Sequence, residues 1–336
     1  MTHEFKKIIQ AYKKASKKGR KAVLATVVAL DGSSYRRPGV RMLILDNGQM
    51  TGAVSGGCVE KEIVRQAETV FSTGISKIMT YDGRYRLGCE GILYILIEPF
   101  CPSGEFLESF QSTLVNRRAF NITSYYEKGH ISNENLGSQV RFGNSIHNLR
   151  PGFAKPSGLS ILEEELPPSF KLAILGSEHD AVQLSTFAAL AGWEVTVYTS
   201  SAEEKDIADF PGATQLVRTE PEAMDVSGID LQTAVILMTH SYVKDLKYLM
   251  ALKDSNPVYL GLLGPAGRRE KLLGDFIERC PDVREEFFER IHGPAGLNIG
   301  AETPQEIAIA VMGEILAVER SKKPIQLKNK KGAIHS

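Results

Sequence analysis

The stretch KLAILGSEHDAVQLSTFAALAGWEVTVY, residues 171–198, decides the fold of the second half of this chain. A strand-length apolar run ends at Leu175 and turns at Gly176. A helix-length segment follows over 181–191, and a β-branched run fills 194–198. Residues 214–217, 234–238 and 258–262 repeat the strand signal with helical spacing between them. Alternation of this kind predicts α/β architecture: a doubly wound, Rossmann-like parallel sheet with right-handed crossovers, over residues 169–320.

Ligands of such sheets bind outside the carboxyl ends of the strands. Three turns fall there: Gly176-Ser177-Glu178-His179, Thr239-His240-Ser241, and Gly261 through Pro265. The first lacks a dinucleotide fingerprint, because Glu178 stands where a second glycine would let backbone approach a pyrophosphate. The second strand ends Val197-Tyr198-Thr199-Ser200, without an acid for a ribose hydroxyl. The pattern therefore argues against NAD(P). His179 and His240 follow two strands at this edge, and Asp245, about a turn and a half along the next helix, is an expected partner for His240. A histidine in such a place is by default a satisfied polar residue; two at one edge make candidates for ligand contact.

Further on, Ile291 to Gly300 form a Gly/Pro-rich loop with His292, Gly296 and Gly300. Thr303, Pro304 and Glu306 then make a capping box with proline in the first turn of an apolar helix. That cap needs only a structural explanation, whereas the loop before it is richer than a cap requires. A polar tail occupies residues 321–336.

Residues 1–100 mix strands and helices without regular alternation and predict an α+β domain. An amphipathic helix carries Phe5, Ile8, Ile9, Tyr12 and Ala15 on one face, with lysines as its solvated face. Asp46-Asn47-Gly48 predicts a hairpin with a type I′ turn. Two cysteines sit in glycine-rich turns: Ser55-Gly56-Gly57-Cys58-Val59-Glu60 and Leu87-Gly88-Cys89-Glu90-Gly91. The spacing of Val59, Ile63, Ala67 and Val70 predicts a helix, which places Cys58 at a helix N-terminus that favours a thiolate. A free cysteine is by default a small apolar filler; the glycine setting and the helix start are more than a filler needs. Arg36 and Arg37 are candidate phosphate contacts, since a guanidinium offers two parallel donors, and Arg268 and Arg269 share that reading beside the ordinary one of surface arginines. Residues 101–168 read as a variable connecting segment, closed by Pro167 and Pro168.

The chain has 336 residues, with 40 basic and 40 acidic side chains. No global field draws it to nucleic acid or to an acidic membrane. Four cysteines without a close metal-binding pair, no apolar run of membrane length and no apolar leader segment predict free thiols in a cytoplasmic protein.

Taken together, GSSYRRPGVRML (32–43), TGAVSGGCVE (51–60), LGCEG (87–91), MTHSYVKDL (238–246), YLGLLGPAGRREKLL (259–273) and RIHGPAGLNIGAETPQEIAIAVMGEILAV (290–318) resemble the XdhC/CoxI family, accessory factors of xanthine dehydrogenase and related molybdenum hydroxylases. The resemblance implies a cytoplasmic chaperone and homodimer, rather than a metabolic enzyme. It would bind molybdenum cofactor (molybdopterin) transiently and deliver it, in sulfurated form, to an apo molybdenum hydroxylase, alongside a cysteine desulfurase. Cys58 and Cys89 map onto the family's cysteine motifs and are the implied metal or sulfur contacts. Ser55, Gly56, Gly57, Arg37, His179, His240, His292, Gly296 and Gly300 are the accompanying candidates for cofactor contact. The chain departs from the family pattern at Cys89-Glu90-Gly91, where Cys-Gly-Gly is usual, and at Gly176-Ser177-Glu178-His179, where Gly-x-Gly-His is usual. An NAD(P)-dependent oxidoreductase and a scaffold that binds no cofactor are the competing readings.

Overall fold

The computed structural model describes residues 1–32, 37–55, 57, 59–85 and 91–331. The chain divides into two compact units, Met1–Pro168 and Ser169–Ser336.

The first unit runs α1 (Thr2–Ser16), β1 (Ala22–Asp31), β2 (Arg41–Leu45), β3 (Met50–Gly52), α2 (Glu60–Thr73), β4 (Lys77–Asp82), β5 (Ile92–Pro99), α3 (Gly104–Val115), β6 (Phe120–Tyr126), β7 (Gly137–Phe142), β8 (Ser145–Asn148) and β9 (Ser160–Leu166). An antiparallel sheet has the order β3-β2-β1-β5-β4. Alternate residues of β1 serve opposite faces, as the period of two requires. Val23, Ala25 and Val27 join Ile63, Ala67 and Val70 of α2. Leu24 packs instead with Phe5, Ile8, Phe106 and Phe120 of α1, α3 and β6. Burial on both faces explains why β1 is apolar almost throughout. The segment 101–168 adds α3 and a second sheet, β8-β7-β6-β9, within the same unit.

The β2–β3 hairpin corrects the expected turn type. A type I′ turn needs positive φ at both central residues, yet Gly48 (φ 82°) has it and Asn47 does not. The loop has three residues, closed by Gly48 N donating to Leu45 O and Leu45 N to Gln49 O. Asp46 is drawn out of a two-residue turn by its bonds to the Lys21 backbone, and the Asn47 side chain accepts from Gln49 N.

The second unit contains β10 (Lys171–Leu175), α4 (His179–Leu190), β11 (Glu194–Thr199), β12 (Ala213–Arg218), β13 (Thr233–Leu237), α5 (Tyr242–Leu252), β14 (Tyr259–Leu262), α6 (Ala266–Arg279), α7 (Glu285–Glu289), β15 (Ile291–His292) and α8 (Pro304–Glu319). Its sheet is parallel throughout, in the order β12-β11-β10-β13-β14-β15. Ala181, Leu184, Val311 and Ile315 bury α4 and α8 on one face. Leu246, Leu249, Leu272 and Phe276 bury α5 and α6 on the other. The strand order reverses between β10 and β13, which is where sheets of this class receive ligands. Among the described residues, no helix is long and apolar enough to cross a membrane.

Candidate functional site

In the first unit, β2, β3 and the start of α2 surround a cavity of about 750 Å³. Met42, Met50, Ala53 and Val64 give it an apolar wall; Ser55, Glu60 and Lys61 are its polar lining. That volume suits a heterocyclic ligand of moderate size. Glycine is needed at Gly52, whose φ is 87° and where a Cβ would lie 2.6 Å from the Arg41 carbonyl oxygen.

The segment between β3 and α2 is fastened by one serine and one carboxylate. Glu60 accepts from Ser55 N (2.8 Å) and Ser55 Oγ (2.6 Å). Ser55 Oγ in turn accepts from Gly57 N (3.0 Å) and Val59 N (3.3 Å). The helix has no side-chain cap at Val59, so this arrangement replaces one. Burial alone would raise the Glu60 carboxyl. The Ser55 hydroxyl and neighbouring backbone N–H groups outweigh it and hold the acid below its ordinary value. The structure thus brings Ser55 and Gly57 together, and Glu60 is a member that sequence reading passed over. Its signal was available: a carboxylate five residues after a serine at a helix start.

Arg37 is exposed. Gly56, Cys58 and Cys89 lie outside the described residues, as does Arg36. Among the described residues, no group of three or more His, Cys, Asp or Glu could hold a metal ion; the thiol candidates are not among those residues.

At the carboxyl edge of the second unit's sheet, the candidates separate into two groups. His240 Nε2 lies 3.6 Å from Asp180 Oδ2, on α4. Asp245 is not its partner. That carboxylate is buried and accepts from Thr239 Oγ1 (2.6 Å) and from Arg268 Nη2 (2.6 Å). Arg268 on α6 thus takes the place expected of the histidine, because a guanidinium can reach a buried carboxylate that the exposed His240 ring does not contact. His179, the first residue of α4, is exposed. Ser177 of the altered glycine turn donates to the Glu203 carboxylate, which also accepts from the backbone of Glu204 and Lys205. These hydrogen bonds, the serine hydroxyl first, hold Glu203 below the usual range.

The second group is built on Glu314 of α8, a residue the sequence reading passed over. Glu314 Oε2 accepts from Tyr259 Oη (2.5 Å) and Gly296 N (2.8 Å), and Oε1 lies 3.5 Å from His292 Nδ1. The His292 ring stacks on Tyr259 at 4.3 Å. Burial, then the Glu314 carboxylate, pushes the Tyr259 hydroxyl well up. His292 and Gly296 are therefore assembled by one carboxylate that fixes the Gly/Pro loop. Gly300 stands exposed with no atom near its absent side chain. A lone carboxylate in the apolar run VMGEILAV was the readable signal for Glu314.

Residues 15–82 match the family model described as XdhC and CoxI family, and residues 172–315 match that of the XdhC Rossmann domain. The chain belongs to the XdhC and CoxI family. Among relatives of this XdhC-type chain is a Bacillus subtilis (strain 168) protein named as a probable subunit of xanthine dehydrogenase, 29% identical over 320 residues, covering 89% of this chain and 93% of the relative. Another is "Molybdenum cofactor insertion chaperone PaoD" of Escherichia coli (strain K12), 25% identical over 323 residues, covering 95% of this chain and 90% of the relative. The fold is shared with the crystal structure of a xanthine dehydrogenase from Bacillus halodurans, at a TM-score of 0.78 and 23% identity. That match covers 94% of this chain and 96% of the other. The relatives' names support an accessory role with a molybdenum enzyme.

Proposed function

We propose that this XdhC-type protein binds molybdenum cofactor in the first unit and delivers it, sulfurated, to an apo molybdenum hydroxylase of the xanthine dehydrogenase type. The observation that carries this reading is the apolar cavity of about 750 Å³ whose lining includes Ser55 and Gly57, the residues that precede Cys58 in sequence. The cavity's apolar wall suits a flat pterin ring. Cys58 and Cys89 are the proposed molybdenum or sulfur contacts, because thiolates are soft ligands. Arg37 is the proposed partner of an anionic group on the cofactor. Within the second unit, His179, His240, His292, Gly296 and Gly300 are the proposed contacts, of which His240 lines a cavity. A cysteine desulfurase as sulfur donor, a homodimer as the working form and the cytoplasm as its compartment belong to the same proposal.

Protein purified from a molybdenum-replete host, analysed by mass spectrometry and molybdenum content, should carry the pterin in stoichiometric amount. Cys58→Ala should lower that retention, and the Cys58→Ala/Cys89→Ala pair should lower it further. Equal retention by wild type and the double variant refutes the thiol contacts. A wild-type protein that carries no pterin refutes the reading altogether.

A further inference from the structure

Where the second unit's strand order reverses, the turn after β10 packs tightly on the end of β13. A Cβ on Gly176 would lie 2.4 Å from the Met238 carbonyl oxygen, so β10 and the end of β13 meet without space between them. Asp180 and His240 reach across the same place at 3.6 Å. Space opens one strand further along, between the ends of β13 and β14. A cavity of about 190 Å³ there is lined by Met238, His240, Leu263, Gly264, Pro265 and Arg268. Dinucleotides and drug-sized ligands take cavities of roughly 300–1,000 Å³. This one has room for a single small group.

Its polar lining is built for an oxyanion. Arg268 is backed by Asp245, whose side chain is 4% exposed and which occupies one Nη2 donor. A guanidinium has five donors, so a buried carboxylate behind it fixes the fork and leaves donors for a ligand. The other Asp245 oxygen takes Thr239 Oγ1, which also accepts from Ser241 N (3.2 Å). Those bonds bracket His240, which holds a φ of 54° although it is not glycine. A residue held in the left-handed region at a ligand-binding edge is a pointer to function. Its side chain is 52% exposed. Each cation of the lining is oriented by a carboxylate, and a third cation stands next in the chain. Asp180 faces His240 and Asp245 faces Arg268, while the adjacent Arg269 has no ion pair among the described residues and a buried Nε without a hydrogen-bond partner.

We propose that this cavity is a binding site for a phosphate-sized oxyanion, held by Arg268 and His240, and placed beside rather than within the dinucleotide crevice of the fold. The inference shares His240 with the cofactor reading but stands on this cavity and on Arg268, so it holds whether or not a pterin is bound. The phosphate can be free or can be the monoester end of a nucleotide; the chemistry recognised is the same.

Titration of the full chain with inorganic phosphate, followed by calorimetry, tests it. Wild type should bind saturably at one site. His240→Gln and Arg268→Lys should each raise Kd by at least about five-fold, in line with the strength of charge-assisted hydrogen bonds. Arg268→Lys keeps a cation opposite Asp245; should it fail to fold by circular dichroism, the exposed His240→Gln decides. A second titration uses a nucleoside 5′-monophosphate. Tighter binding than phosphate, weakened by the same variants, supports the site with a nucleotide as source; equal binding supports it with free phosphate as source. Absence of saturable phosphate binding, or unchanged Kd in the folded variants, overturns the proposal. Pterin retention is measured on the same proteins, so that failure of either idea is seen separately.

Discussion

At the scale of single residues, Glu98 on β5 is the most consequential buried acid of the first unit. It is fully buried, and it accepts from Ser138 N (2.9 Å) and Ser138 Oγ (2.6 Å) on β7. Burial outweighs those two donors and pushes its pKa up from 4.5 to about 7. Between those values the folded protein holds a proton that the unfolded chain has lost, so folding stability falls as pH rises through this window. The loss amounts to something on the order of 3 kcal/mol once the group is fully ionised. Urea titrations at pH 5 and pH 8 should show a decline for wild type that Glu98→Gln largely removes. A second residue-scale expectation concerns Thr303. Its Oγ1 accepts from Glu306 N and the Glu306 carboxylate accepts from Thr303 N. Thr303→Ala should therefore cost about 1 kcal/mol in the unfolding of the second unit, read from the shift of its denaturant midpoint.

Between elements, the Arg41–Glu164 pair ties β2 to β9, and so joins the two sheets of the first unit. Both side chains are buried, at 4% and 8% exposure, and Arg41 Nη1 also donates to Gly39 O (2.8 Å). Removing one partner of a buried pair strands the other charge, so Glu164→Ala should cost roughly 3–5 kcal/mol. Glu164→Gln should cost less. Gly39 belongs to the same joint: its φ is 96°, and a Cβ there would overlap the Glu164 carboxylate. Gly39→Ala should accordingly lower the melting temperature of the first unit in the same direction, as calorimetry would register. The sequence displayed Arg41 and Gly39 inside one motif, but nothing in it named Glu164, which is 123 residues away.

For the molecule as a whole, periodicity made the second unit legible. Apolar strand and helix segments alternate there because the inner strands are covered on both faces, and that burial writes itself directly into composition. The first unit gave up its strands and its helix after Cys58 for the same reason. The turn at Asn47 departs from its local preference because a long-range tie from Asp46 to Lys21 overrides it. Candidate site residues drew notice in the sequence where they sit in glycine turns. Glu60 and Glu314 each left a local signal in the sequence, whereas the Arg268–Asp245 pairing left none, since only folding brings those two side chains together. Both hydrophobic cores of the second unit draw solely on residues from that unit. Residues 169–336 expressed alone should therefore melt cooperatively and keep the helical and strand signature by circular dichroism; a gradual, non-cooperative melt would contradict this.

The margins of the parallel sheet carry one more consequence. On one side it stops at β15, which has two residues. On the other it stops at β12, where the Arg218 guanidinium is fastened to the Lys205 carbonyl. An edge so short gives an incoming chain almost no template, and a bulky cation anchored at the end of the opposite edge obstructs one. Fibril growth by strand stacking is thereby discouraged at both borders, which lets a parallel sheet, slow to assemble by nature, persist at working concentrations.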